Sequence, residues 1–163
     1  ASVSTPSGGG ASYSSYLEGA VADAVSSNVV FVAASGNNGK NTDSSGFYPA
    51  NYSGVVSVGS TDESDQLSSF SNYGVNTVEV AAPGSNIYST LRYGGYGTIS
   101  GTSMAAPQVS GALALGFSLR GDLPSSVVRQ KLCESAVPLF PTYIKCGRID
   151  VASYLQKLSS VVR

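Results

Sequence analysis

The sequence predicts an α/β fold, a mostly parallel sheet flanked by helices in three layers. Three observations carry that expectation. Segments with a helical apolar period alternate with short apolar runs through the first half of the chain, and such alternation builds βαβ units with right-handed crossovers. The runs at 28–34, 55–59 and 78–82 are dense in Val and Ala, which suits strands covered on both faces. Abrupt turns stop them, Ser35-Gly36-Asn37-Asn38-Gly39 after the first and Pro83-Gly84 after the third.

In chain order, residues 12–26 place Leu17, Ala20, Val21, Ala24 and Val25 on one face of a helix, at i, i+3, i+4, i+7 and i+8. The strand at 28–34 follows directly. Polar turn residues continue to Gly46, and the strands at 55–59 and 78–82 come next. Residues 87–91 and 96–100, joined across Gly94-Gly95, read as a hairpin. Residues 105–120 are rich in Ala, Leu and small side chains and predict a buried helix ended by Gly121. A shorter helix is expected over 125–134, and Asp150 caps a last amphipathic one through Tyr154, Leu155 and Leu158. Function in such sheets gathers at the carboxyl ends of the strands. Two places satisfy that rule, the turn at 36–39 and the entry to the long helix at 100–103.

The 163 residues, 42% of them hydrophobic, fit one domain or part of a larger one. A formal charge of -1 and only 12% charged residues leave no basic stripe for nucleic acid or an anionic membrane. The apolar runs at 29–34 and 112–119 fall well short of the ~18 residues of a membrane span. Histidine is absent, which excludes a His general base, His metal ligand or His pH switch within this chain. The first residue, Ala1, has neither an initiator Met nor a charged-then-apolar leader behind it, so the start of the gene product is expected upstream.

The entry to the long helix is the more informative of the two places. In Gly101-Thr102-Ser103-Met104-Ala105-Ala106-Pro107 a serine stands at a helix start, behind a glycine that permits close backbone approach. A hydroxyl there faces unpaired backbone N–H groups and the positive end of the helix dipole, which stabilise a developing anion. Pro107 is tolerated where N–H groups lack helical partners. The ordinary reading of Gly-Thr-Ser is a plain helix cap. The spacing also departs from the Gly-x-Ser-x-Gly elbow, because Ala105 fills the last position.

Taken whole, the seven residues resemble the nucleophile motif of the subtilisin-like serine proteases, the subtilases. Ala33-Ala34-Ser35-Gly36-Asn37-Asn38-Gly39 resembles that family's strand end with the oxyanion-hole asparagine, and Phe47-Tyr48-Pro49-Ala50 its following specificity loop. Residues 55–59, Phe70-Ser71-Asn72-Tyr73-Gly74 and Ala81-Ala82-Pro83-Gly84 continue the match in order, so the resemblance runs from about Ser2 to Leu155. It implies a serine endopeptidase with Ser103 as the nucleophile that forms an acyl-enzyme. The Asn37 amide and the Ser103 N–H would be the oxyanion donors, supported by Thr102. Ser2, Val3 and Ser4 resemble the extended strand on which the substrate pairs its backbone, with Gly36, Asn38 and Phe47 at the pocket for the residue before the scissile bond. Outside that context Asn37 would be a loop residue supporting a left-handed turn.

The sequence departs from the family pattern at several positions. Ser4 and Thr5 stand where many members have a glycine pair, and Phe47 where small residues are common; both reshape the expected pocket. Gln108 replaces a histidine that is not the general base. Subtilase triads run Asp, His, Ser along the chain, so residues 1–163 would be the C-terminal part of one catalytic domain, its fold incomplete on the N-terminal side. The Asp, the His and the first strands are expected upstream of Ala1 or on another chain, leaving one sheet edge and part of the core uncovered. Without an imidazole Ser103 is an ordinary alcohol, and the isolated chain is expected to be inactive.

The partners so implied are a peptide or protein substrate, the missing half of the domain and an inhibitory propeptide. The alternative is a non-catalytic subtilase-like binding scaffold. An unrelated Ser/Gly-rich adhesion domain would have no reason to bring Asn37 near Ser103. Cys133 and Cys146 either form a bridge closing a loop of about 14 residues, worth roughly 3 kcal/mol in the chain-entropy model, or remain buried thiols. The resemblance implies a secreted protein or a secretory compartment, which suits a disulfide. The carbonyls of Ala50, Tyr52 and Val55 resemble the lining of a weak calcium site found in some members, although this chain requires no cofactor. Asn51-Tyr52-Ser53 fits the N-glycosylation pattern.

Overall fold

The computed structural model describes residues 3–162. Along the chain run β1 (Val3–Ser4), α1 (Ser15–Ser26), β2 (Val30–Ala34), α2 (Thr42–Ser45), β3 (Val55–Thr61), β4 (Val80–Pro83), β5 (Ile87–Leu91), β6 (Gly95–Ile99), α3 (Thr102–Leu119), α4 (Ser125–Ser135), β7 (Gly147–Arg148) and α5 (Val151–Ser159). The central sheet has the order β1-β2-β3-β4-β7 with every neighbouring pair parallel, and β5 and β6 form a separate antiparallel hairpin.

The two-residue period of a strand sends alternate side chains to opposite faces. Val30, Val32 and Ala34 of β2, with Val56, Val58, Val80 and Ala82 of its neighbours, form one core with α3, α4 and α5. Ala33 and Val55 point the other way, to a smaller core with Val21 of α1, Ala50 and Tyr52. These are the three layers expected from the continuous apolar strands. Small side chains on α3, Ala105, Ala106 and Ala112, let it lie closely along β2, β3 and β4.

Where α3 meets α5 the fit is tight. A Cβ added at Gly116 would overlap the Tyr154 hydroxyl and come within 2.8 Å of Leu158 Cδ1. Tyr154 and Leu158 are both 0% exposed and have no room to withdraw. Gly116→Ala should therefore destabilise by about 1–3 kcal/mol through overpacking, although alanine is the better helix former. A lower urea midpoint with an unchanged slope would show it.

The structure differs from the sequence expectations at several element ends. Helix α1 starts at Ser15, because Ser14 caps it by accepting from the Leu17 N–H at 3.3 Å. Of its apolar face only Val21 is buried; Leu17 and Ala20 are exposed. Helix α3 starts three residues earlier than expected and holds Pro107 inside it, beyond the first turn. The Ser103 carbonyl thereby loses its usual donor four residues on. Strand β1 falls on the extended segment that the resemblance implies, whereas the two-residue β7 and the single turn α2 were not anticipated, because pieces so short have no periodicity of their own. Asp43 of α2 ties that turn to Asn76 and Thr77, accepting from the Thr77 hydroxyl at 2.7 Å. Burial pushes its carboxyl pKa up, and these hydrogen bonds more than offset that, holding it below the usual value.

The cysteines form a bridge, Cys133 to Cys146, with Cα atoms 5.3 Å apart. It joins α4 to the chain entering β7. Among the described residues no helix is long and apolar enough to cross a membrane.

Candidate active site

Strand β2 delivers the chain at Ala34 to the buried Ser35 and then to Gly36, whose φ of 102° lies in the left-handed region that favours glycine. A Cβ there would overlap the Asn72 carboxamide nitrogen and press on the Phe47 ring at 2.9 Å. The turn swings Asn37 over the start of α3. There its Oδ1 accepts two hydrogen bonds, from the Thr102 N–H and from the Thr102 hydroxyl, both at 2.9 Å. Thr102 Oγ1 in turn accepts from the Gly36 N–H at 3.2 Å.

This arrangement determines which way the Asn37 amide faces. With both acceptor positions of Oδ1 taken by donors, the Nδ2 group is the end left to face outward. It lies beside Gly101, where an added Cβ would be 3.4 Å from it. Ser103 is the second residue of α3, so its N–H is among the first four that have no partner within the helix. Its side chain is half-buried, and its Oγ donates to the Ser7 carbonyl at 2.5 Å.

A cavity of about 290 Å³ joins these groups, lined by Ser7, Gly8, Gly9, Ala34, Gly36, Asn37, Asn38, Phe47, Thr102 and Ser103. The fold thus brings together Ser103, Asn37, Thr102, Gly36, Asn38 and Phe47, which are far apart along the chain. No side chain in that lining is charged, so hydroxyls and amide dipoles set its electrostatics. Val3 and Ser4 form the extended strand β1 at the sheet edge, outside this cavity's lining, and Ser2 falls outside the described residues. Ser7, Gly8 and Gly9 take that side of the cavity instead, held by two backbone bonds between Gly10 and Tyr48 at 2.9 and 2.7 Å. The sequence carried no sign of this beyond the flexibility of three glycines.

Ser103 also borders a second cavity of about 290 Å³, between the hairpin and α3, with Ile87, Leu91, Ile99, Met104 and Pro107 in its walls. The larger cavity of about 570 Å³ lies at the amino ends of the strands, beside Val30, Glu79, Arg129 and Lys145, and contains none of the site residues.

The carbonyls expected to hold calcium do not form a free cradle. Val55 O accepts from Arg129 at 3.1 Å, neighbouring Gly54 O from the same guanidinium at 2.7 Å, and Tyr52 O from the Val55 N–H at 3.3 Å. A cation is already in place as a side chain, and a metal ion beside it would meet like charge. Val55 O, bound by the Arg129 guanidinium, does not fit calcium. Asn51 is likewise turned inward, its Nδ2 donating to the Thr42 carbonyl at 2.8 Å and its Oδ1 buried, which leaves the amide poorly presented for glycosylation.

Residues 1–157 match the subtilase family model. The chain is 41% identical over 150 residues to Subtilisin DY of Bacillus licheniformis, a match covering 91% of this chain and 54% of that protein. To Subtilisin amylosacchariticus of Bacillus subtilis subsp. amylosacchariticus it is 44% identical over 150 residues, covering 91% and 39%. Among solved structures, the self-cleaved protease domain of PatA is similar at a TM-score of 0.88 and 32% identity, over 100% of this chain and 64% of that one. The prenylagaramide maturation protease PagA is similar at a TM-score of 0.88 and 28% identity, over 99% and 63%. The chain spans about half the length, or less, of the curated relatives it matches. With so much of its sequence matched to one family model, and the same fold in that family's solved relatives, the chain belongs to the subtilase family.

Proposed function

We propose that this chain supplies the nucleophile and oxyanion half of a subtilisin-like serine endopeptidase. It is the C-terminal part of one catalytic domain, and the triad Asp and His come from a segment outside it. The observation that carries this reading is the Asn37 carboxamide, which Thr102 locks and whose donor end has no hydrogen-bond partner among the described residues and lies beside the residue preceding Thr102 and Ser103.

In the reaction Ser103 Oγ leaves the Ser7 carbonyl, passes its proton to the imidazole and attacks the peptide carbonyl carbon. The oxygen of that carbonyl becomes the oxyanion and receives the Asn37 Nδ2–H and the Ser103 N–H. Collapse expels the amine, protonated by the imidazolium, and water then releases the acyl group from Ser103. Phe47 fills part of the pocket, which favours small side chains before the scissile bond. The second cavity and the exposed Leu115 and Leu119 of α3 suit the packing of the absent segment against this face. The disulfide suits an oxidising, secretory compartment, where an inhibitory propeptide would reach the same cleft.

Two measurements test the proposal. A fluorophosphonate serine reagent should label Ser103 when the upstream segment is present and leave the chain alone unlabelled. A complete protein that stays unlabelled would overturn it and favour the non-catalytic scaffold. Asn37→Ala should lower kcat about 10²–10³-fold with little change in KM, the size of effect seen for the equivalent change in subtilisin, a relative. Steady-state peptide hydrolysis would measure it.

A further inference from the structure

Asn72 is 1% exposed and is not itself among the residues that line the Ser103 cavity, but sits behind Gly36 and Asn38, which are. Its carboxamide nonetheless spends three hydrogen bonds on the turn that carries Asn37. Nδ2 donates to the Ser35 carbonyl at 2.8 Å, and Oδ1 accepts from the Asn38 and Lys40 N–H groups, both at 3.0 Å. Its main chain adds a bond from the Asn72 N–H to the Gly36 carbonyl at 2.8 Å, and its own carbonyl accepts from the Ser35 hydroxyl at 3.2 Å. Every residue of the turn from 35 to 40 except Asn37 and Gly39 is therefore fastened to this one residue. Gly39 is held next door, through its N–H to the Phe70 carbonyl at 2.8 Å.

We propose that Asn72 is a positioning residue for catalysis, a buried template that fixes where the Asn37 donor points. The proposal rests on the reading of Asn37 as oxyanion donor and Ser103 as nucleophile. The chemistry explains why an amide is needed. The turn presents one carbonyl and two N–H groups to a dry spot, and a carboxamide, with a donor at one end and two acceptor positions at the other, satisfies all three. Gly36 completes the match, since any side chain there would collide with the Asn72 amide. Asn37 is tied at its far end by Thr102, so its Nδ2 keeps its place only while the Cα between the two anchors stays put.

The test uses the complete protein with its upstream segment and a peptide substrate. Asn72→Ala should lower kcat about ten- to hundredfold, the cost of a misplacement near 1 Å, with KM within about twofold. Asn72→Asp, nearly isosteric and able to keep the two acceptor bonds, should also lower kcat, because it cannot donate to Ser35 and sets a negative charge beneath the oxyanion donor. In an Asn37→Ala background, Asn72→Ala should cost nothing further in kcat, since it acts through that side chain. A melting temperature that falls while kcat stays at the wild-type value would overturn the inference, as would losses at Asn37 and Asn72 that simply multiply. Failure of the underlying reading looks different: Ser103→Ala would then retain activity.

Discussion

Ser103→Ala in the complete protein is expected to lower kcat about a millionfold, with KM nearly unchanged, as loss of the nucleophile does in subtilisin, a relative. The physical basis is direct. The hydroxyl is the group that forms the acyl-enzyme, and alanine leaves nothing in that place to share electrons with the substrate carbon. The Asn37 and Ser103 amide donors remain, so some stabilisation of a water-derived oxyanion survives. Folding should barely notice, because the hydroxyl is half-buried and its one hydrogen bond runs to the Ser7 carbonyl, worth about 1 kcal/mol. Turnover of a peptide substrate beside a thermal melt separates the two effects. A loss of less than about a hundredfold would mean that the bond is cleaved without this nucleophile.

Stability should suffer most from a change far from that site. Arg129→Ala should cost roughly 3 kcal/mol, or about 6–12 °C in melting temperature for a chain of this size. Arg129 Nε donates to the two Glu79 oxygens at 2.8 and 2.9 Å, its Nη2 pairs with the same carboxylate, and the remaining donors reach the Gly54 and Val55 carbonyls. One guanidinium thus binds α4 to the starts of β3 and β4. The Glu79 side chain is only 8% exposed, so removing its partner leaves a carboxylate with little access to water. The Arg129 side chain is 28% exposed, which lets solvent enter the vacated space and holds the expected cost to the low end of the range for a buried pair. Arg129→Lys should recover little, because an ammonium cannot serve a carboxylate and two carbonyls in one plane. Urea unfolding of Arg129→Ala, Glu79→Gln and the double variant would check the coupling. A double variant no more stable than Arg129→Ala would argue that the unpaired charge is not the cause.

Much of the fold was legible in the sequence because its causes are local. The alternation of Val30, Val32 and Ala34 with Phe31 and Ala33 makes a strand with two apolar faces wherever that strand sits. The Asp150 cap acts within three residues of itself. The candidate site was legible through contiguous motifs around Asn37 and Ser103, which named the residues without saying how they meet. The face of α1 misled for the opposite reason: a helical period shows which side chains align, whereas whether Leu17 and Ala20 are covered depends on what packs against them.

The α/β class, the order of the main helices and strands, the family and the two polar residues of interest can thus all be read from the chain before it folds. Folding alone settles that Asn37 is locked by a threonine 65 positions away, that Asn72 anchors the turn from 34 and 32 positions off, and that Arg129 takes the Val55 carbonyl, one of the three expected to hold calcium. A hydrogen bond between residues so distant leaves no trace in the composition or period of either segment. It exists because parallel strands, joined by helices, bring their carboxyl ends to one edge of the sheet, where Asn37 sits, and their amino ends to the other, where Arg129 sits.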